Sequence, residues 1–279
     1  MENKEKEYQI NLYGKMLKQW RDRRNLSQLD LAITSQVSQR HISFLESGRA
    51  KPSQEMVLKL ATVLEIPLRQ QNLMLSAAGF APIHTETDLS APEMTLICKA
   101  LNFVLSQQEP YPAIVIDRYW NLLLSNEGAT RLLNTFIAPD KLQTLFCIDG
   151  KINLMRVMFD SQGLRPFIVN WEACAKHLLQ RLHREANSSI VNEKYNSLFE
   201  ELMSYPDIAS LWDSLTLSMQ NELVLSVQLR KDNLDLSFFS TIATLGTPYD
   251  ITLQEIRIEC LFPADEITEN NWQALLESS

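Results

Sequence analysis

The sequence predicts two domains of different fold class, an all-α domain of five short helices and an α+β domain with helices and a five-stranded antiparallel sheet. Residues 8–78 repeat apolar side chains at helical spacing in short, capped pieces. The stretch 79–94, GFAPIHTETDLSAPEM, has two prolines and no period, which is typical of a boundary. After it come a β-rich hairpin, a helical block and three alternating segments. We therefore divide the chain into residues 1–80, a linker at 81–92, and residues 93–279.

Each of the five predicted helices has a start signal, a stop signal or both. Serine caps begin three of them, at Ser27 (with Asp30 in a capping-box position), Ser38 and Ser53. Pro67 begins the fifth, and Gly48 and Gly79 end the third and the fifth. The apolar side chains expected to face inward are Leu12, Met16, Leu17, Trp20, Leu29, Leu31, Ala32, Ile33, Ile42, Leu45, Met56, Val57, Leu60 and Leu64.

The second domain begins with a helix at about 93–107 and then changes to β-type sequence. PAIVIDRYWNLLLSN contains two β-rich runs that meet at Asp117-Arg118, which predicts a hairpin. A helical block follows from about 127 to 219. ELVLSVQLR, LDLSFFSTIATLG and TLQEIRIECLF then alternate apolar and polar residues, which predicts three further strands. FPADEIT is expected to lead into a last helix.

The charge of the chain is unevenly distributed. The net charge is −8, which taken alone argues against a nucleic-acid partner. Residues 1–80, however, contain twelve Lys and Arg against eight Asp and Glu, and the rest contains 14 against 26. A basic module joined to an acidic one suits an N-terminal domain that meets phosphates.

Several classes of protein are excluded by what the sequence lacks. The four cysteines are far apart, with no C-x-x-C pair and no histidine at metal-ligand spacing, so we expect free thiols and no metal or other cofactor. The N-terminus has no secretory apolar core, and no apolar run is long enough to span a membrane, so we expect a cytoplasmic protein. No catalytic motif occurs, and Asp265 and Glu266 point in different directions, so we expect no enzyme.

The polar start of the third helix is the strongest functional signal. Two helices joined by a short turn, with polar residues on the first exposed turn of the second, form a helix-turn-helix arrangement. In that arrangement the second helix enters the major groove with its first residues facing base edges. Gln39 and Arg40 are the residue types that pair with adenine and guanine, and Gln28, Arg49 and Lys51 could meet phosphates. These side chains could instead be ordinary solvated residues.

The segment LSQLDLA…VSQRHISFLESGRAKP resembles the XRE/Cro-repressor family of helix-turn-helix domains. Its pattern is met at Ser27, Gln28, Leu31, Ala32, Val37, Ser38, Ile42, Ser43, Glu46, Gly48 and Pro52. The resemblance implies phosphate contact by Gln28 and Ser38 and base contact by Gln39, Arg40 and Phe44. Ser43, Arg49 and Lys51 complete the candidate DNA-binding residues. Phe44 could touch a thymine methyl or pack at an interface. Gln36 stands where the family often has glycine, which would cost about 1–2 kcal/mol in a left-handed conformation.

The remaining two thirds of the chain is similar to XRE regulators with a MmyB-like ligand-binding domain. The similarity is carried by EPYPAIVIDRYWNLLLSN, NLMRVMFDSQGLRPFIVNWEACAKHLLQRLHRE and FFSTIATLGTPYDITLQEIRIECLFPADEIT. It implies a PAS-like sensor fold from about residue 92 onward and DNA binding controlled by a small ligand. It also implies fatty-acyl compounds as the ligand class.

The candidate ligand-binding residues are Trp120, Phe167, Trp171, Arg181 and Phe238. These aromatic side chains, with Phe239, could line an apolar cavity or form solid core. Basic side chains near the helix NWEACAKHLLQRLHRE could hold a carboxylate, or they could form a solvated face; they are Arg165, His177, Arg181, His183 and Arg184.

Two functional hypotheses follow from these features. In the first, the chain is a ligand-responsive transcriptional repressor that binds an inverted-repeat operator in double-stranded DNA as a homodimer, in response to a small apolar or fatty-acyl ligand. In the second, it is an antitoxin-like XRE adaptor whose larger domain binds a partner protein. An enclosed cavity would favour the first, and a large exposed apolar patch the second.

Overall fold

The computed structural model describes residues 2–187, 193–214, 224–246 and 248–277. Contacts divide the chain into two compact units: Met1–Thr87 with Thr247–Gln254, and Asp88–Gly246 with Glu255–Ser279. The predicted linker 81–92 is thus divided between the units. A short segment from the far end of the chain joins the first unit, which the sequence did not indicate.

The first unit is helical, as predicted. Its helices are α1 Glu2–Arg23, α2 Gln28–Ser35, α3 Gln39–Glu46, α4 Gln54–Val63 and α5 Leu68–Ala77. The three predicted serine caps are confirmed, because each hydroxyl accepts a backbone N–H three residues on at 3.1–3.2 Å. Ser27 and Asp30 form a capping box with both of its hydrogen bonds, since the Asp30 carboxylate also accepts the Ser27 N–H at 2.8 Å.

The apolar face of the first unit differs from the predicted one in places. Leu29 and Ile33 are 51% and 68% exposed, although both were expected to face inward, and Leu12 is exposed as well. Leu29 and Ile33 are four residues apart and share the outer face of α2, while Leu31 and Ala32 are buried on the other. A helix of eight residues has too few turns for its apolar spacing to determine which face is covered.

The turn between α2 and α3 contains a residue in the left-handed region. Gln36 has φ 54° and ψ 42°, and its N–H donates to the carbonyls of Ala32 and Ile33 at the end of α2. This is the position where the sequence departs from glycine, so the strain expected from that departure is present.

The second unit contains both helices and strands. Its helices are α6 Thr95–Gln107, α7 Glu127–Phe136, α8 Pro139–Phe146, α9 Leu154–Phe159, α10 Trp171–Asn187, α11 Glu193–Met203, α12 Ile208–Asp213 and α14 Glu266–Glu277, with α13 Ile251–Glu255 shared between the units. Its strands are β1 Ala113–Ile116, β2 Leu122–Ser125, β3 Cys147–Ile148, β4 Lys151–Ile152, β5 Ser226–Lys231, β6 Leu234–Ala243 and β7 Arg257–Pro263. Parts of two predicted segments lie outside the described residues: residues 188–192 and 215–223, which belong to the helical block and to the start of ELVLSVQLR.

The predicted five-stranded antiparallel sheet is confirmed, in the order β2-β1-β7-β6-β5. The hairpin of β1 and β2 forms as expected, and β7 lies between β1 and β6. Two details were not predicted: a small second hairpin of β3 and β4, and the helical start of TLQEIRIECLF, whose first residues belong to α13.

The core of the second unit joins the sheet to several helices. Phe238 of β6 meets the indole of Trp272 of α14 edge-on, with ring centroids 5.5 Å apart. Leu132 of α7, Val157 of α9 and Cys174 of α10 belong to the same buried cluster. Burial raises the pKa of the Cys174 thiol to about 11, so this thiol is inert at neutral pH.

The segment 248–254 is attached to the first unit by a buried carboxylate. Asp250 Oδ2 accepts from the Thr85 hydroxyl at 2.8 Å and from the Thr87 hydroxyl and N–H at 2.8 and 3.1 Å. Gln254 Oε1 accepts the N–H of Leu68 at 2.7 Å, at the start of α5. Burial raises the pKa of Asp250, but these hydrogen bonds outweigh it, so its pKa is lowered.

Candidate functional site

The start of α3 presents polar side chains to solvent. Ser38, Gln39 and Arg40 are exposed, while Ser43 and Phe44, one turn further on, are half-buried. Ile42, on the opposite face, is fully buried. The first turn of α3 therefore has the geometry of a helix that can enter the major groove with its N-terminus first.

The Phe44 ring contacts two arginine side chains. The Cζ atom of Arg40 is 5.2 Å from the centroid of the Phe44 ring, and that of Arg49 is 5.6 Å away. Both distances are within the range of cation–π attraction. Phe44 thus holds a base-reading candidate and a phosphate-contact candidate on one aromatic platform. The sequence suggested a thymine contact or an interface for Phe44, not this positioning role.

Gln28 is oriented by a buried ion pair. Its Nε2 donates to Glu46 Oε2 at 2.8 Å, and Arg21 Nε donates to Glu46 Oε1 at 2.6 Å. The side chains of Arg21 and Glu46 are only 9% and 4% exposed. The hydrogen bond to Glu46 raises the pKa of the Arg21 guanidinium. The Gln28 N–H lies in the first turn of α2, where backbone donors have no partner within the helix.

Gly14 allows α1 and α3 to approach closely. A Cβ atom at Gly14 would lie 2.6 Å from the carbonyl oxygens of both Leu45 and Glu46. Backbone cannot move away as a flexible side chain can, so this contact requires glycine. The position of α3 against α1 therefore depends on a residue outside the predicted DNA-binding set.

Arg49 and Lys51 follow α3 and are exposed. Lys51 Nζ lies 5.7 Å from the centroid of Phe80. Among the described residues, no carboxylate forms an ion pair with Arg40, Arg49 or Lys51. Their charges therefore remain available to an anionic partner.

The second unit contains a largely apolar cavity of about 200 Å³. Trp120, Phe238 and Arg181, three of the five predicted ligand-binding residues, lie on its wall. Aliphatic side chains from α7, α9, α10 and the sheet complete most of the wall, among them Leu132, Leu133, Met158, Leu178, Leu229 and Leu261. Its apolar lining and few polar groups are typical of a small-molecule site.

The structure does not bring the other two predicted residues onto the cavity wall. Phe167 packs against Phe136 with ring centroids 5.3 Å apart, and Trp171 meets Phe159 edge-on at 5.1 Å. Both belong to the partly buried shell of the core. The guanidinium of Arg165 lies over the Trp171 ring at 5.0 Å and is likewise away from the cavity.

One end of the cavity carries a network of charged groups. Arg181 Nη2 donates to Glu259 Oε1 at 2.7 Å, and Arg181 Nε donates to Glu185 Oε1 at 3.1 Å. Glu185 also pairs with Arg257 at 2.9 Å and accepts the indole N–H of Trp120 at 3.2 Å. The Arg181 guanidinium stacks over the Trp120 ring at 4.2 Å.

A cleft of about 600 Å³ shares part of this end of the cavity. His177, Arg181 and Ser240 line both spaces, and Arg184 lies on the cleft. Burial lowers the pKa of His177, and the charges of Arg181 and Arg184 lower it further. The imidazole is therefore neutral at physiological pH.

Sequence reasoning missed Glu259 and Glu185. The alternation in RIECLF places Arg257, Glu259 and Leu261 on one face of β7, and Glu259 is only 8% exposed. A glutamate on the same strand face as a core leucine is the signal that could have identified it. Among the described residues there is no cluster of metal-ligating side chains, and no helix there could cross a membrane.

Comparison with known proteins identifies a family for each part of the chain. Residues 17–71 match the helix-turn-helix family, and residues 97–275 match the family described as MmyB-like transcription regulator ligand binding domain. A protein of Methanococcus vannielii described as an HTH-type transcriptional regulatory protein is 39% identical over 59 residues, which are 21% of this chain and 18% of that protein. This chain therefore belongs to the family of XRE-type helix-turn-helix proteins with a MmyB-like transcription regulator ligand-binding domain.

Proposed function

We propose that this protein is a sequence-specific, DNA-binding transcriptional repressor whose affinity for its operator is changed by a small apolar or fatty-acyl ligand. It acts in the cytoplasm, and its function includes no catalytic step. The observation that carries the DNA-binding part is the exposed first turn of α3, which presents Gln39 and Arg40; Arg49 and Lys51 follow this helix and are exposed as well. The largely apolar cavity supports the ligand-responsive part.

In this proposal the DNA-binding residues have distinct roles. Gln39 and Arg40 read base edges, since an amide and a guanidinium form two-pronged pairs with adenine and guanine. The phosphate contacts come from Gln28, Ser38, Ser43, Arg49 and Lys51. Phe44 holds Arg40 and Arg49 in position, as the two ring contacts support. A homodimer would present two copies of α3 about one DNA turn apart, on an inverted repeat.

The ligand acts by binding the DNA-competent and DNA-incompetent arrangements with different affinity. This part of the proposal is supported by the course of the chain, which leads directly from the cavity wall to the DNA-binding unit. Strands β6 and β7 carry Phe238 and Glu259 on the cavity wall, and the connection between these strands contributes Thr247–Gln254 to the first unit. A ligand that shifts either strand therefore acts on a segment that Asp250 ties to Thr85 and Thr87.

The DNA-binding roles are tested by two variants on an operator selected from random duplexes. Arg40→Ala is expected to remove about 1–3 kcal/mol of discrimination between the operator and random DNA. Lys51→Ala is expected to weaken binding to both DNAs alike and to reduce the salt dependence. An equal loss on operator and random DNA for both variants would contradict the assigned roles.

The ligand is tested by native mass spectrometry of the purified protein, followed by denaturing extraction and mass analysis of the released compounds. A co-purified acyl compound near one per chain supports the cavity sensor. Titration of operator binding with that compound then gives the sign of regulation. Operator binding that the compound leaves unchanged would contradict ligand control of DNA binding.

A second candidate function is an adaptor whose larger unit binds a partner protein. The outer face of α6 favours it, because Leu96 and Phe103 are 75% and 65% exposed. The double variant Leu96→Ser/Phe103→Ser distinguishes a homodimer surface from a surface for another protein. Its mass is measured by size-exclusion chromatography with light scattering and compared with that of the wild type. Loss of self-association identifies this face as a homodimer surface, and unchanged mass with loss of a co-purifying protein supports the adaptor.

A further inference from the structure

The charged groups on the cavity wall balance each other. Of the described side chains that line the cavity, Arg181 and Glu259 are the charged ones, and they form an ion pair across 2.7 Å. His177, at the mouth, is neutral, and Ser240 is a hydroxyl. A molecule that enters the cavity therefore meets no net charge at its polar end.

The guanidinium of Arg181 is also engaged beyond this pair. Its Nε donates to Glu185 at 3.1 Å, and its face lies against Trp120 at 4.2 Å. Glu185 also pairs with Arg257, so the ion pairs of the described residues at this end join two arginines to two glutamates. The side chains of Arg181, Glu185 and Glu259 are 13%, 17% and 11% exposed, so solvent screens these charges weakly.

A carboxylate head group fits this arrangement poorly. Arg181 would have to leave Glu259, or three carboxylates would share two arginines, with two like charges close together and partly desolvated. Arg184 could offer another positive charge, but it lies on the open cleft and is exposed. Its attraction is therefore weakened by solvent.

An uncharged polar group fits the same atoms well. An N–H or O–H of the ligand can donate to the Glu259 carboxylate, and its oxygen can accept from Arg181 or from the Ser240 hydroxyl. Neither step requires the ion pair of Arg181 and Glu259 to open. The apolar chain then occupies the aliphatic part of the cavity.

We infer that the cavity takes a fatty-acyl or alkyl compound with an uncharged head group, such as an amide or an alcohol, and discriminates against the free fatty acid. This inference rests on the proposed function, because it specifies the ligand of the same cavity. Glu259 is the residue that determines the discrimination.

The test compares decanamide, decanol and decanoate on the purified full-length protein at about pH 7.5, where the acid is ionised. Affinities are measured by isothermal titration calorimetry. The wild-type protein is expected to bind the amide or the alcohol at least about tenfold more tightly than decanoate. In Glu259→Gln, Arg181 loses one of its two carboxylate partners, so decanoate binding is expected to strengthen at least about tenfold while amide binding changes little.

The matched control is Glu172→Gln, which removes an exposed carboxylate of α10, the helix that carries Arg181; Glu172 pairs with Lys176. This variant is expected to keep the wild-type order of affinities. Decanoate binding as tight as that of the amide in the wild type would overturn the inference. The inference would also be overturned if Glu259→Gln bound the amide and still preferred it over decanoate as strongly as the wild type does.

The outcomes separate the inference from the function on which it rests. If none of the three compounds binds the wild-type protein, the ligand part of the proposed function fails, and the inference fails with it. If all three bind and the acid is preferred, only the inference fails. If Glu259→Gln does not fold, the order of wild-type affinities decides alone.

Discussion

Replacing Phe44 by leucine tests whether this ring positions arginines or reads a base. Leucine keeps an apolar side chain at a half-buried position of α3, so the helix is expected to keep its packing. What it removes is the π face that lies 5.2 Å from Arg40 and 5.6 Å from Arg49.

The size of the effect follows from these two contacts. A cation–π contact at an exposed site contributes about 0.5–1 kcal/mol, so losing two removes about 1–2 kcal/mol of pre-organisation. That corresponds to operator binding weaker by roughly 5- to 30-fold. In an Arg40→Ala background, one of the two contacts is already absent, so Phe44→Leu is expected to cost about half as much.

Fluorescence anisotropy on the selected operator measures these affinities. The control is Phe262→Leu in the second unit, where the Phe262 ring stacks on Phe239, and it should leave the affinities unchanged. An operator in which uracil replaces thymine provides a further comparison, because it lacks only the methyl groups. Full additivity of Phe44→Leu and Arg40→Ala would refute the positioning role. If the wild-type protein binds the uracil operator more weakly than the thymine operator, while Phe44→Leu binds both equally, Phe44 instead contacts a thymine methyl.

Three further changes test the first unit. Gln36→Gly removes the strain of a side chain in the left-handed region, so it is expected to raise the free energy of unfolding by about 0.5–1 kcal/mol in urea titrations. An unchanged free energy of unfolding would show that Gln36 carries no strain at φ 54°. Glu46→Ala removes the buried partner of Arg21 and leaves it the more exposed Asp22, so it is expected to cost about 3 kcal/mol; a loss below about 1 kcal/mol would mean that the site relaxes. Asp250→Asn is expected to cost roughly 2 kcal/mol at neutral pH, because both carboxylate oxygens accept hydrogen bonds. Because the pKa of Asp250 is lowered, the difference in free energy of unfolding between the wild type and Asp250→Asn is expected to hold above the ordinary pKa of 3.8 and to shrink as the pH falls below it. A difference that does not change between about pH 2 and 6 would contradict this expectation.

Much of the fold could be predicted because its signals are local. Serine caps, the glycine ends and helical spacing indicated the five helices of the first unit, and the alternation in LDLSFFSTIATLG indicated β6. The failures also have local causes. The short α2 exposes Leu29 and Ile33, and the two-residue strands β3 and β4 are too short to give an alternating pattern.

The two candidate sites differ in how far the sequence could predict them. The residues proposed to contact DNA lie within 24 consecutive positions, and a capped helix fixes which of them share its first turn. The cavity wall is assembled from distant segments, so residue type alone could not separate Trp120 and Phe238, which line it, from Phe167 and Trp171, which pack in the core.

The sequence by itself determined the division into a basic helical part and an acidic α+β part, the capped helices, the hairpin and the polar start of α3. Each of these depends on neighbours within a few residues, where caps, turns and periodicity act. Only the tertiary structure decided which distant side chains meet. It pairs Arg181 with Glu259, 78 positions apart, and Asp250 with Thr85, 165 positions apart. Such pairs depend on strand register and helix packing, and no local pattern encodes the distance between elements that are far apart in the chain.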